Sequence, residues 1–263
     1  MSIIQLTPLD IGLAALLVFL LALLSWHWQL GVGKSLLIAA VRTVVQLSLI
    51  GMVLKTLFDQ TALLWVAVMA SVMWLVAGRE VIARQKRRFA GPWSYGIGAS
   101  AMFLSSFVIT LFSLLVVISP DPWFTPQYAI PLLGMMLGNT LNSIALSLDR
   151  FTHEIWRERS VVEGRLLMGM TWKKAVRPYQ KQALRSGMIP TINAMAAAGL
   201  VSLPGMMTGQ ILGGNPPVVA VMYQIMIMFM IASGAGFGAM LAIWLSGKRL
   251  SDHRQRLRLD RLT

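Results

Sequence analysis

Long stretches without charged residues dominate the chain, and short polar segments separate them. Residues 189–247 contain no Asp, Glu, Lys or Arg, and residues 97–119 and 122–148 are equally free of charge. A helix needs about 20 mostly apolar residues to cross about 30 Å of hydrocarbon. Membrane strands alternate polar and apolar residues, and these stretches do not. The pattern therefore predicts an all-α, polytopic membrane protein.

The lengths of these stretches predict seven membrane-spanning helices. They cover residues 9–26, 36–57, 62–78, 97–118, 129–148, 189–212 and 218–246. We expect one transmembrane domain over residues 1–263, with a helical segment at 149–188 and a basic tail at 248–263.

The basic residues predict the orientation of the spans. Only 13% of the 263 residues are charged, about half the usual share, yet the net charge is +13. Of the 23 Lys and Arg residues, 22 fall on one side of the predicted spans, and only Lys55 falls on the other. Loops rich in Lys and Arg stay in the cytoplasm. The N-terminus is thus predicted outside and the C-terminus inside, and the charge indicates topology rather than nucleic-acid binding.

The predicted cytoplasmic segment at 149–188 is too long for a simple turn. Its apolar residues recur at helical spacing, which predicts one helix, a break at Gly169, Met170 and Thr171, and a second helix. Thr171 is the expected N-cap, and Pro178 lies early in the second helix. Such a segment serves as a docking surface or lies as an amphipathic helix at the membrane. For the basic tail we expect the latter, with attraction to anionic lipid.

No catalytic constellation is visible, so we expect a protein that is not an enzyme. The chain has no Cys, and its three histidines, His27, His153 and His253, lie near predicted loops. An intramembrane enzyme or a proton-coupled pump needs reactive or titratable groups at depth. No carboxylate pair or histidine occupies such a position, and no resident cofactor or metal site is predicted in this chain.

Several neutral polar side chains lie inside the predicted spans and are candidates for a translocation path. They are Gln46, Asn139, Asn142, Asn193, Gln210 and Gln224. Met206 and Met207 join them, because thioethers bind soft metals, although methionine also fills irregular gaps between helices. Polar groups in hydrocarbon face either a water-filled path or a hydrogen-bond partner on another helix, and both interpretations stay open. Arg42 is expected to extend towards the cytoplasmic headgroups.

A helix kink and several close helix contacts are also predicted. Pro204 lacks an N–H and Gly205 follows it, so the sixth span should bend there, and broken helices often line transporter sites. Glycines four residues apart let helix backbones touch, here or in a dimer. The glycines concerned include Gly134, Gly138, Gly209, Gly234 and Gly238.

The sixth and seventh spans carry a resemblance to a known family. Residues 199–209 read GLVSLPGMMTG, and Tyr223-Gln224-Ile225-Met226 follows. Together with Gly138-Asn139, these residues resemble the FetB family of ABC-transporter permeases, which are associated with bacterial iron export and, in plants, with aluminium tolerance. The resemblance implies a multi-pass protein of the bacterial inner membrane. Two copies would form the path, and two copies of a separate ATPase chain, binding ATP and Mg, would drive export.

The resemblance also implies a coupling role for the segment at 149–188. Glu163 and Gly169 have the spacing of the E-x-x-x-x-x-G opening of the coupling loop in many ABC importers. Gly164 and Thr171 are further coupling candidates, whereas Arg165 departs from the small residue usual there. Two alternatives stay open: an ABC permease for an organic solute such as a nucleotide sugar, and a passive channel or scaffold without an ATPase.

Overall fold

The computed structural model describes residues 7–59 and 62–263, and this part of the chain contains ten α-helices. They are α1 (Pro8–His27), α2 (Gly33–Asp59), α3 (Leu63–Ala83), α4 (Trp93–Met102), α5 (Val108–Phe112), α6 (Pro126–Arg157), α7 (Arg159–Leu167), α8 (Trp172–Ala197), α9 (Gly205–Leu212) and α10 (Pro217–Arg249). The described residues form isolated β-bridges but no strand. The predicted all-α class is confirmed.

Six helical segments of the described chain are long and apolar enough to cross a membrane. They are Pro8–His27, Gly33–Phe58, Leu63–Ala83, Trp93–Ile118, Pro126–Arg157 and Pro217–Arg249. The fourth of these contains α4 and α5, with one π-helical turn between them at Phe103–Phe107 and a second after α5 at Ser113–Ile118. A π-turn inserts a residue into the helical ladder, so these turns re-aim the side chains that follow them.

The chain divides into two compact units. The first contains α1 and α2, with the short stretch Leu212–Gly214, and the second contains the remaining helices. In the first unit the two helices form a hairpin that closes at Gly33, where an added Cβ would lie 2.9 Å from the Ala22 carbonyl oxygen. Nearly all side chains of this hairpin are exposed.

The second unit is built around α6, which packs against α3, α8 and α10. Its largest fully buried side chains include Phe151, Met136 and Ile144 of α6 and Met102 of α4. Small residues allow the closest helix contacts. An added Cβ at Gly187 of α8 would lie 1.9 Å from the Ser147 hydroxyl of α6, so α8 can touch α6 only through a glycine.

The predicted continuous span at 189–212 is wrong. α8 begins at Trp172, passes through Pro178 and Pro190 and ends at Ala197, and only the short α9 follows. Seven residues, 198–204, separate these helices, so Pro204 lies at an interruption rather than at a kink. Gly199 has φ +85°, and its N–H donates to the Ser202 carbonyl at 2.9 Å. Proline also disfavours helical geometry in the residue before it. Pro204 therefore keeps Leu203 out of a helix, and α9 begins only at Gly205.

The helical prediction for residues 149–188 agrees with the structure at its central break. α7 and α8 are separated at residues 168–171, and Thr171 occupies the N-cap position of α8 without a side-chain capping bond. The start of this segment differs from the prediction. Its first residues belong to α6, which continues past the predicted end of the fifth span to Arg157.

The basic tail is not the amphipathic helix that we expected. Beyond α10 it forms only one 3-10 turn, Leu259–Arg261, and folds back onto the second unit. The N–H of Arg88 donates to the Thr263 carbonyl at 3.1 Å, and the N–H of Thr263 donates back to Arg88 at 2.8 Å. Leu250 and Leu262 are buried. The apolar residues of the tail therefore pack against protein, which removes the apolar face that a membrane-surface helix needs.

Candidate functional site

A cavity of about 260 Å³ lies in the second unit, at the break between α8 and α9. Its wall brings together six residues that the sequence singled out, from three separate stretches of the chain. They are Asn139, Asn142, Pro204, Gly205, Met206 and Gln224. It lies near the middle of α6, where a membrane-spanning helix is farthest from water.

Gln224 of α10 is the most unusual residue of this wall. Its side chain is 7% exposed, and its Oε1 atom has no hydrogen-bond partner in the described chain. Leaving a buried polar group unpaired costs about 1–3 kcal/mol. A binding site explains such a group, because its partner is then the ligand.

The two asparagines of α6 are held in different ways. The Asn139 amide donates through Nδ2 to the Met135 carbonyl at 2.8 Å, one turn earlier in its own helix. Asn142 accepts a hydrogen bond at Oδ1 from Nη1 of Arg84, the C-cap residue that follows α3. The sequence did not point to Arg84, because a basic residue in a loop is ordinarily a topology signal.

Hydroxyl groups and further thioethers complete the cavity, and they are not among the residues predicted to line the path. The hydroxyls of Ser143 and Thr191 lie 3.4 Å apart and link α6 to α8. Met135 and Met228 line the wall near Met206. Ser and Thr occur throughout membrane helices as packing residues, so only the tertiary structure distinguishes this pair. Within the described chain no cluster of three His, Cys, Asp or Glu residues exists. The atoms of the cavity wall that could bind a metal ion are amide oxygens, hydroxyl oxygens and thioether sulfurs.

Four other candidates for the path lie outside this cavity. Gln46 is exposed on α2, in the other unit, and Asn193 is exposed on α8. Met207 and Gln210 are half-buried on α9, and the Oε1 atom of Gln210 is buried without a partner. Their contribution to a path stays a prediction.

The predicted packing glycines fall into two groups: three lie close to a neighbouring side chain, and two do not. An added Cβ at Gly234 would lie 2.5 Å from Met136 Cε, and one at Gly238 would lie 2.8 Å from Ser105 Oγ. At Gly134 the nearest atom would be Met73 Cε at 3.2 Å. Gly138 and Gly209 would meet nothing within 4 Å.

The coupling candidates gather at one end of the second unit. Glu163, Gly169 and Thr171 line a groove of about 710 Å³ together with Arg254 and Arg256 of the tail. Gly164 follows Glu163 on α7 and is half-buried. The basic segment at 79–88, the segment at 149–188 and the tail all meet here, and we call this part of the molecule the basic end. The Lys86 N–H donates to the Asp149 carboxylate at 2.8 Å.

Gly169 has a structural reason for its position. Its φ is +84°, its N–H donates to the Leu166 carbonyl at 3.0 Å, and the N–H of Met170 donates to the Arg165 carbonyl at 3.1 Å. These two bonds form a Schellman motif, which ends a helix with a left-handed residue. Arg165 also donates through Nη1 to the Ala175 carbonyl at 3.1 Å and so joins α7 to α8.

The Schellman turn projects three apolar side chains from the basic end. Leu167 is 88% exposed and Met168 is 74% exposed, with Met170 beside them. We call these three residues the elbow tip. Exposed large apolar groups surrounded by polar residues mark interaction sites.

The tail holds in place the turn between α7 and α8, residues 168–171, which we call the elbow. The carboxylate of Asp252 accepts from the N–H groups of Arg254 and Arg256, both at 2.9 Å, which closes a tight turn. The Arg256 N–H is the main cause that lowers the pKa of Asp252 to about 2. This turn presents Gln255, whose Oε1 accepts from the Trp172 N–H at 2.8 Å. A tail residue thus supplies the capping bond at the start of α8.

The six long apolar helices among the described residues define a multi-pass membrane protein, and its cavity lies at a break between two helices. A family model described as "Uncharacterised protein family (UPF0014)" matches residues 8–251, so the chain belongs to this family. No solved structure matches the chain.

Three relatives illustrate the range of the family. The chain is 39% identical over 236 residues to the UPF0014 membrane protein slr1647 of Synechocystis sp., with 88% of each chain covered. It is 34% identical to Protein ALUMINUM SENSITIVE 3 of Arabidopsis thaliana, with 88% of this chain and 83% of the relative covered. It is 29% identical to the "Probable iron export permease protein FetB" of Escherichia coli, with 98% and 97% covered. The resemblance seen in residues 199–209 is confirmed, and the protein is a multi-pass protein of the bacterial inner membrane.

Proposed function

We propose that the chain is the membrane permease of an ABC transporter and exports a metal cation, iron, using ATP hydrolysed with Mg by a separate ATPase chain. The observation that carries the transport role is the cavity at the α8–α9 break, with the unpaired oxygen of Gln224 in its wall. Discontinuous helices surround the substrate sites of many transporters.

The chemistry of the cavity supports a small cation as substrate. Amide oxygens can bind a cation, and the thioethers of Met135, Met206 and Met228 favour soft or intermediate metals. A wall without carboxylates binds a cation weakly, which suits a path that must release its ion. A nucleotide sugar is a drug-sized ligand, and such ligands occupy pockets of about 300–1,000 Å³. The cavity of about 260 Å³ favours the ion.

The elbow tip supports an ATPase partner over a passive channel. A channel has no use for apolar side chains held in the aqueous phase, whereas a partner chain would cover Leu167 and Met168. In this proposal the basic end is cytoplasmic, and closure of the ATPase moves α7 and α8 together through Arg165. A second copy of the permease would cover the exposed Asn139 and Gly138 face of α6.

The variant Gln224→Leu tests the cavity. Removing one ligand interaction worth about 1.4 kcal/mol slows a transport step about tenfold. The same change removes an unpaired buried group, so the thermal stability of the variant should equal or exceed that of the wild type. Iron efflux from cells and melting of the purified protein are the two measurements. Normal efflux, or a loss of efflux that only follows a loss of stability, would contradict a ligand role.

The elbow tip is tested by capture of the ATPase on the tagged permease. Leu167→Ser with Met168→Ser should abolish capture of a stoichiometric ATPase chain from gently solubilised membranes. The matched control is Leu200→Ser with Val201→Ser, because those residues are equally exposed but lie at the α8–α9 break. Capture that survives in the elbow variant, or fails in both variants, would contradict docking at the tip.

A further inference from the structure

A second groove, of about 930 Å³, opens at the basic end between the start of α8 and the end of α10. The Trp172 Nε1–H donates to the Gly247 carbonyl at 2.9 Å and fixes the floor of this groove. Neither the transport cavity nor the elbow tip uses its walls.

Four cationic side chains line the groove, and no carboxylate does. They are Lys173, Lys174, Arg177 and Lys248. All four are exposed, and none forms an ion pair within the described residues. Other cations of the basic end do have acidic partners. Arg150, for example, lies 2.8 Å from Glu154, and Arg256 lies 2.8 Å from Asp252. A cluster of unneutralised cations around a large groove fits a dianionic or anionic group such as a phosphate.

An exposed apolar surface continues from the groove along α10. Trp244 lines the groove and is half exposed, with Lys248 Nζ 3.8 Å from its ring centroid. One and two turns earlier on the same helix face, Met240 and Phe237 are exposed as well. Tryptophan is typical of the headgroup level of a bilayer, and lysine beside it extends its amine towards the phosphates.

Helix α8 lies beside α10 near the apolar surface. An added Cβ at Gly236 of α10 would lie 3.7 Å from Met188 Cε of α8, so the two helices are adjacent at this level. The surface is therefore cationic at its end and apolar along its length. A phospholipid has this distribution of charge and apolar chain, whereas a soluble anion or an acidic protein surface has no apolar chain to place beside Phe237.

We propose that this groove binds an anionic phospholipid of the surrounding leaflet. Lys173, Lys174 and Lys248 hold the phosphate of the headgroup. An acyl chain follows Trp244, Met240 and Phe237. Because Lys173 lies at the first turn of α8, directly after the elbow, the bound lipid also fixes the start of the helix that carries Thr191 of the cavity.

Native mass spectrometry of the delipidated chain in detergent tests this proposal. Dioleoyl phosphatidylglycerol should bind at least about tenfold more tightly than dioleoyl phosphatidylcholine, because each basic residue near the phosphate contributes roughly 1 kcal/mol. The variant Lys173→Gln, Lys174→Gln and Lys248→Gln should lose this preference. The matched control removes three charges that do not line the groove: Lys86→Gln, Lys181→Gln and Arg185→Gln. It should keep the preference.

Three results would overturn the proposal. An equal loss of preference in both triple variants would show diffuse attraction to the net charge instead of a site. Displacement of the lipid by millimolar inorganic phosphate would show a site for a soluble anion. Retention of the lipid preference by the groove variant, with loss of the captured ATPase, would show that the groove docks protein.

Discussion

The α1–α2 hairpin and the α6-centred unit use apolar helices in opposite ways. In α2 none of the most apolar 18-residue window is buried, whereas in α6 the buried share is 61%. Yet α6 has the lowest mean hydropathy of the six membrane-crossing segments. Of these two helices the more apolar one is therefore the more exposed, and the lower hydropathy of α6 reflects helix packing in which buried small hydroxyl residues replace leucine and valine.

Truncation of one large side chain in each unit should give the largest contrast. Phe151 of α6 is fully buried, and Leu47 of α2 is 65% exposed. Phe151→Ala should lower the free energy of unfolding by about 3–5 kcal/mol, because it leaves a cavity. Leu47→Ala should change it little. Denaturation of the detergent-purified variants measures both values, and similar losses would show that the hairpin is packed as tightly as the core.

Adding a methyl group to a helix should also change the stability of the two units differently, but by less than the truncation does. Gly187→Ala of α8 places a methyl group against Ser147 and the Ser143 carbonyl. Because this overpacks the contact with α6, the variant protein should be about 1–3 kcal/mol less stable. Gly51→Ala of α2 meets nothing within 4 Å and should be neutral or favourable, because alanine is the better helix former. Thermal melting of the two variants checks the difference. A neutral Gly187→Ala would mean that α8 and α6 are farther apart than the structure shows.

A local backbone effect should be the smallest and should not differ between the units. Gly31, in the turn between α1 and α2, has φ +72°, and Gly169 has φ +84°, with open space around both. Replacing either glycine by alanine forces a left-handed conformation at a cost of roughly 1–2 kcal/mol. Equal losses of stability in Gly31→Ala and Gly169→Ala would show that the contrast between the units comes from packing alone, and unequal losses would contradict this.

Hydropathy and composition were sufficient to predict three of the residues that line the cavity. Asn139, Asn142 and Gln224 stand out because amides are rare inside apolar stretches, and the structure places all three at one cavity. Ser143 and Thr191 do not stand out, because their role depends on the approach of α8 to α6. Their hydroxyls meet across two helices that are far apart in the chain.

Two errors have a common physical cause. Residues 198–204 are as apolar as the helices beside them, so an average over a window cannot detect the turn at Gly199. The tail has leucines at intervals that fit an amphipathic helix, but its hydrogen bonds go to Arg88 and Trp172, which are distant in sequence. In both places hydropathy carries no information about the path of the backbone.

Thiol labelling at Ala194 tests the central claim, that the cavity of the second unit is a water-filled path. The chain has no cysteine, so single cysteines can be placed without background. In inside-out vesicles a charged, membrane-impermeant maleimide should label Ala194→Cys of the cavity wall and Met168→Cys of the elbow tip, but not Leu47→Cys of α2. An unlabelled Ala194→Cys beside a labelled Met168→Cys would contradict the account, because the cavity would then be closed to water.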